Sequence, residues 1–224
     1  MNPTSHSQLT LALALIICFI TFVVLAHQVF YFGPLIGYNV PIYHLMRSLR
    51  NPIADYIFVA ITLLGNYVLA FSWVIVFVYL ALRKNFWAAI HWLGLGVLAI
   101  VSMEVLKHFV HETRPPGLFR PPSSWSFPSG HSTISMAILG GFAVLLTRDW
   151  PKLSRWLTYI TFIVIMGLIM FSRLYLTAHW LNDVIGGALL GFCCLAIFTI
   201  SYRRKHTARI SVKELLVAGV GAFI

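Results

Sequence analysis

Residues 125–147 read WSFPSGHSTISMAILGGFAVLLT. A polar, helix-breaking patch gives way here to an apolar run close to the length of a membrane crossing, which takes about 20 mostly apolar residues. Working outward from the run at 131–147, comparable stretches occur at 9–30, 56–82, 87–108, 156–173 and 182–202. The pattern predicts an all-α integral membrane protein with six transmembrane helices. Composition agrees. Hydrophobic residues make up 59% of the 224-residue chain, charged residues 10%, and mean hydropathy is +0.86. A water-soluble domain typically carries about a quarter charged residues.

The first run is read as a membrane helix rather than a cleaved signal, because no Lys or Arg precedes Leu9 and the run is long enough to span. The second carries Gly65-Asn66 and is expected to tilt, bend or begin as an interfacial turn. Between these two, Ile42, Leu45, Met46 and Leu49 fall on one helical face, with His44, Arg47 and Arg50 on the other. That spacing suits a short helix in the membrane interface over residues 41–54. The expected organisation is one six-helix domain over 1–210. The apolar segment 211–224 is either an interfacial tail or the start of a further segment. Cys18, Cys193 and Cys194 lie inside apolar runs, without disulfide or metal-ligand spacing, and read as small hydrophobes.

The net charge is +10 with a pI near 9.9. A nucleic-acid partner is excluded, because the basic residues stand between apolar spans instead of along one soluble face. With a cytoplasmic N-terminus, Arg83, Lys84, Arg148, Lys152, Arg155, Arg203, Arg204, Lys205, Arg209 and Lys213 fall inside, and Arg47, Arg50, Lys107, Arg114, Arg120 and Arg173 outside. That bias follows the positive-inside rule. Short loops and compact length point to a bacterial inner (plasma) membrane.

Three polar clusters land at the outer helix ends on this topology: Lys107 with Arg114-Pro115, Pro128-Ser129-Gly130-His131, and Ser172-Arg173 with His179 and Asp183. Lys107, Arg114 and Arg173 supply three positive charges at one face, and the arginine fork matches phosphate oxygens. Ser129 and Gly130 precede a helix whose free N–H groups suit an anion, with Ser129 or Ser132 available as its cap. The GK[ST] element of nucleotide loops is missing, so a phosphate group without a nucleotide is expected. His179 and Asp183 are four apart and share a face if helical. A carboxylate on one ring nitrogen frees the other for attack, which makes His179 the nucleophile and leaves His131 as acid for the leaving group.

The segments KHFVHETRP, PSGH and SRLYLTAHWLND, with the gaps between them, closely resemble the three motifs of the type 2 phosphatidic-acid phosphatase superfamily. That superfamily holds membrane lipid phosphatases and soluble vanadium haloperoxidases. The resemblance covers nearly the whole chain and implies a lipid phosphate phosphatase working without metal or cofactor. In it Lys107, Arg114, Ser129, Gly130 and Arg173 hold phosphate, His131 protonates the leaving oxygen, His179 forms a phosphohistidine and Asp183 supports it. A lipid phosphate in the bilayer is the implied partner, with undecaprenyl diphosphate or a glycerophospholipid phosphate favoured. Alternatives are a phosphotransferase using the same phosphohistidine, a non-catalytic lipid-binding or transport protein, and a haloperoxidase, which the hydrophobic chain argues against.

Other readings stay beside these. His108, His111 and Glu112 could join His131 around a metal, but the neighbouring cations would repel one. Glu104 either pairs with Lys107 or packs. Trp125, Phe127, Tyr175 and Trp180 read first as an interfacial aromatic belt. Arg120 reads as a loop residue.

Overall fold

A computed structural model describes residues 3–116 and 124–205. Among these, helices α1 (Pro3–Phe30), α5 (Phe86–Val110), α6 (Gly130–Thr147), α7 (Lys152–Tyr175) and α8 (Leu181–Tyr202) are long and apolar enough to cross a membrane. The remaining expected span is interrupted. Helices α3 (Pro52–Leu63) and α4 (Leu69–Leu82) are joined by a π-turn at Leu64–Val68, where the sequence places Gly65-Asn66. The segment expected in the interface over 41–54 is divided: its first part lies in helix α2 (Asn39–Ser48), which follows a 3-10 turn at Pro34–Tyr38, and from Pro52 it belongs to α3. Arg120 and segment 211–224 lie outside the described residues.

Local chemistry sets several helix starts. Asn51 caps α3, its side chain accepting from Ala54 N–H at 3.0 Å with Pro52 in the first turn. Arg50, expected on the polar face, instead turns inward to Asp55 at 3.1 Å and over the Tyr175 ring. α2 thereby packs on the protein, with Met46 against Tyr175 and Leu176.

α6 and α8 lie at the centre, with backbones in direct contact. A Cβ built at Gly187 would stand 2.5 Å from Ser129 O, and one at Gly191 2.5 Å from Thr133 O. This small-residue stripe lets two membrane helices approach closely. Trp92, Leu95, Ile138, Ile169 and Phe198 fill the main core. A second cluster gathers Phe22, Met103, Leu190 and Phe127. Phe127 is 0% exposed and occupies the space that a side chain at Gly186 would need. The belt reading is thus corrected for Phe127 and Tyr175, which are buried, while Trp125 is exposed. Phe127 plugs the polar loop into the core.

Four helices end on a left-handed residue, at Phe32, Lys84, His111 and Thr177, and the last two lie near the site. α5 closes with His111 in the left-handed region (φ 53°), its N–H reaching Lys107 O at 3.2 Å. α7 closes with Thr177 left-handed (φ 51°), where Ala178 N–H reaches Arg173 O at 3.0 Å and Thr177 N–H reaches Leu174 O at 2.9 Å. These are the αL and Schellman endings, usually built on glycine.

Candidate active site

The three sequence clusters meet at one end of the bundle. Lys107, in the last turn of α5, is 6% exposed, and its amine meets Glu104 Oε1 at 3.5 Å. It also stands over the start of α6, since a Cβ built at Gly130 would lie 3.9 Å from Lys107 Nζ. Glu104 therefore pairs with Lys107. From the loop after α5, Arg114 reaches Ser124 O at 3.0 Å, Ser124 Oγ at 3.1 Å and Ala178 O at 2.9 Å. Its Nη1 also donates to His179 Nε2 at 3.0 Å.

Ser129 occupies the cap position of α6, but its hydroxyl makes no capping bond. The expected cap by Ser129 or Ser132 is corrected, because the turn is closed by Thr133 N–H and Oγ1 on Ser129 O. Both serine hydroxyls are buried and find no partner among the described residues. Ser129 N–H is fixed by Asp183 O at 2.9 Å, which ties the phosphate-motif loop to α8. His131 sits one residue further into α6, and the charges of Arg173, Arg114 and Lys107 all act on it. Its ring lies against Gly65 in the π-turn, where a Cβ would stand 3.1 Å from His131 Cδ2 and 2.6 Å from Ile169 Cγ2. Only glycine leaves that room, and π-turns inside helices frequently serve functional sites.

His179 and Asp183 do touch, with Nδ1 to Oδ2 at 3.1 Å, but not across a shared helical face. His179 lies in the turn before α8, and Asp183 is the third residue of that helix. The contact comes from helix-start geometry: Asp183 Oδ2 also accepts Trp180 N–H at 2.8 Å. Ser126 Oγ donates to the same Oδ2 and lies 3.3 Å from His179 Nδ1. Asp183 is 0% exposed and His179 5%. Arg173, in the last turn of α7, donates to Thr62 Oγ1 of α3 at 2.5 Å, while its buried Nε has no partner among the described residues.

The electrostatics follow from burial. His179 is pushed down to about 4, by burial first and by Arg114 and Arg173, against the pull of Asp183. It is neutral at ordinary pH. With Nδ1–H directed at Asp183, Nε2 carries the lone pair that Arg114 engages. Burial lowers Arg114, opposed by the Asp183 charge, and a guanidinium remains a cation under such conditions. Glu112 is driven up to about 9 by burial and by the neighbouring Asp183.

Lys107, Arg114, Ser129, Gly130, His131, Arg173, His179 and Asp183 are thus drawn into one cluster, in which Lys107, Ser129, His179 and Asp183 are buried and the others half-buried. The metal grouping is not assembled: His108 bonds Glu104 O at 2.8 Å, His111 packs on Trp125, and Glu112 turns to Asn182. Among the described residues no three His, Cys, Asp or Glu are placed to share a metal ion. Sequence reasoning missed Ser126, Thr62, Ser124 and Asn182. Ser126 stands two residues before Pro128, and its position inside the polar patch was the one available signal.

Comparison with known proteins places this geometry. The model of the PAP2 superfamily matches residues 87–207. Phosphatidylglycerophosphatase B of Bacillus subtilis (strain 168) is 37% identical over 110 residues, covering 45% of this chain and 53% of the relative. An undecaprenyl-diphosphatase of Sulfolobus acidocaldarius is 38% identical over 102 residues, covering 42% and 46%. The matches span about half the length of these curated relatives. Among solved structures, the transmembrane PAP2-type phosphatidylglycerolphosphate phosphatase from Bacillus subtilis superposes with a TM-score of 0.72 at 28% identity, covering 82% of this chain and 93% of that one. Aquifex aeolicus LpxE gives 0.56 at 26% identity, covering 72% and 94%.

Proposed function

Since the chain belongs to the PAP2 superfamily, we propose that it removes phosphate from a lipid phosphate or diphosphate through a phosphohistidine. One observation carries the reading: a neutral, buried His179 is held by Asp183 at Nδ1, with its Nε2 lone pair directed at an arginine. Arg114 Nη1 stands 3.0 Å from Nε2, on the side from which phosphorus must approach. A bound phosphate gives Arg114 better acceptors than a ring nitrogen, and Nε2 is released as the substrate seats.

Lys107, Arg114 and Arg173 then neutralise the equatorial oxygens, and the unpartnered Ser129 hydroxyl with the first amides of α6 completes the cradle. Nε2 attacks phosphorus in line, so that a P–N bond forms as the bond to the lipid oxygen breaks. His131 gives that oxygen its proton. Water, its proton taken back by His131, then attacks phosphorus, the P–N bond breaks, and inorganic phosphate leaves with His179 neutral again. Asp183 holds the ring and its charge through both steps.

The positive-inside bias puts this end of the bundle on the outer side of the membrane, with the N-terminus cytoplasmic. A cavity of about 460 Å³ lined by Val29, Phe32, Ile36, Val110, Glu112 and Trp180 opens beside the site, at the outer ends of α1 and α5. It gives a lipid's chain a route from the bilayer, with α2 as its border. Deleting α2 should harm long-chain turnover more than short-chain turnover. An undecaprenyl diphosphate or a glycerophospholipid phosphate suits this arrangement, in line with the names of the relatives.

The test is phosphate release by purified protein in detergent with excess EDTA, on undecaprenyl diphosphate and phosphatidate, for wild type and His179→Ala. Release that persists with chelator and vanishes in the variant is the expected result. Release abolished by EDTA would overturn the mechanism, and label moved from substrate into another lipid would assign a transferase.

A further inference from the structure

On this reading of the site, we propose that Glu112 is a positioning residue that stands protonated and donates its carboxyl hydrogen to Asp183 Oδ1. Asp183 is then held from both oxygens while it orients His179. The two oxygens of Asp183 are otherwise served very unequally. Oδ2 receives Trp180 N–H, Ser126 Oγ–H and His179 Nδ1–H. Oδ1 is buried and has no donor among the described residues. A buried carboxylate oxygen left bare is costly, and native sites rarely tolerate one.

The Glu112 carboxyl interacts directly with the Asp183 carboxyl, and with three donors already on Oδ2, Oδ1 is the oxygen left for it. Asn182 fixes it from the other side, with Nδ2 3.0 and 3.1 Å from the two Glu112 oxygens. The Asn182 backbone N–H is in turn held by Asn39 Oδ1 of α2 at 3.3 Å. Two ionised carboxyls in contact repel, and among the described residues no cation pairs with Glu112 to relieve this. One proton must therefore lie between them. Asp183 keeps its charge because His179, Ser126 and Trp180 all donate to it, so Glu112 takes the proton. The rise of the Glu112 carboxyl to about 9 agrees with that placement.

The titratable surroundings are few. Asp183 faces Glu112 from α8, with His179 on its far side. Lys107 of α5 and Arg114 of the same loop both act on Asp183. The cavity beside Glu112 is lined from α1, the turn after it and α2 by untitratable side chains, and His111 is its one other ionisable neighbour.

Three variants and two readouts test this. In the unliganded protein at neutral pH, the infrared spectrum should contain a protonated carboxyl stretch that disappears in Glu112→Gln. Glutamine keeps a donor for Asp183 Oδ1, so kcat should stay within about threefold of wild type, whereas Glu112→Ala should lose about tenfold or more in kcat with little change in KM. Glu112→Asp, too short to reach, should resemble alanine. The decline in wild-type kcat/KM as Glu112 ionises, near pH 9, should be absent in Glu112→Gln. Absence of the infrared band, Glu112→Gln as impaired as Glu112→Ala, or Glu112→Ala as active as wild type would each overturn the proposal. The infrared arm needs no turnover and decides the protonation even if the lipid phosphatase reading fails.

Discussion

The two ends of the bundle use the same residue types in opposite ways. At the end away from the site, Arg148 lies over the Tyr202 ring at 4.8 Å and Lys205 over Trp87 at 4.4 Å. Arg148 also donates to Lys205 O at 2.6 Å, Arg155 to Trp150 O at 3.0 Å, and Trp87 Nε1 to Tyr202 O at 3.1 Å. These cations rest on rings and carbonyls near the surface, which suits anchoring at an interface. At the site end, Lys107, His179 and Asp183 are buried, and the Nε of Arg173 and the hydroxyls of Ser129 and Ser132 have no partner among the described residues. Burial of charge inside a membrane protein is expensive and marks function. Composition does not separate the two ends. What separates them is the burial of whole ionisable side chains, since a buried nitrogen without a partner among the described residues occurs at both ends, Nε of Arg155 at one and of Arg173 at the other.

That contrast can be broken by substitution. The largest effect should come from Asp183→Asn. An asparagine would donate to His179 Nδ1, move the ring proton to Nε2 and remove the lone pair, with kcat falling about a thousandfold or more. Steady-state phosphate release measures it, and activity within tenfold of wild type would mean Asp183 does not set the tautomer. Next is Gly65→Ala. Its methyl would press on His131 and Ile169, and a displaced acid should cost about ten- to a hundredfold in kcat with the fold retained. Wild-type activity with the methyl in place would place His131 outside the chemistry.

The pH profile sharpens the comparison further. His179 is a base whose proton affinity is lowered in the folded protein, so it stays neutral until the pH falls to about 4. Below that, kcat/KM should drop about tenfold per pH unit as Nε2 is protonated. Fold stability carries the same sign. It is fully present above the ordinary histidine value and is lost as the pH falls toward 4, because unfolded His179 takes up its proton first. The smallest effect belongs to the opposite end. Arg148→Ala should leave kcat within about twofold and lower stability by about 1 kcal/mol or less, read by thermal unfolding in detergent.

Much of this was legible in the sequence, for a physical reason. Lys107, Arg114, His131, Arg173, His179 and Asp183 stand out because charge within apolar runs is rare, and their common end follows from counting crossings. The interrupted second span was signalled by Gly65-Asn66. Ser126 and Thr62 were not legible, since hydroxyls are ordinary in membrane helices and what gives each a role is a partner far along the chain. Glu112 was visible only as a member of a metal grouping that the neighbouring cations argued against, and its role stayed hidden because its neighbours, Asn182 and Asp183, come together with it only when α8 packs beside the loop. The His179–Asp183 pair was found from helical spacing, although a helix start makes the contact.

The two left-handed helix endings beside the site fix its cations relative to their partners. In each, the carbonyl that closes the loop belongs to one of the site's cations, Lys107 in one and Arg173 in the other. The loop closed on Lys107 carries Arg114, and the turn closed on Arg173 carries His179. The site is therefore built as two stiff jaws, each combining a cation with a partner, clamped together where Arg114 meets His179. A histidine and a β-branched threonine at the two hinges hold backbone angles that glycine would adopt freely, at a cost on the order of 1 kcal/mol each. Glycine there would relax both hinges and let each jaw flex on its own. The strained residues thus tie each cation to its partner through a single left-handed turn.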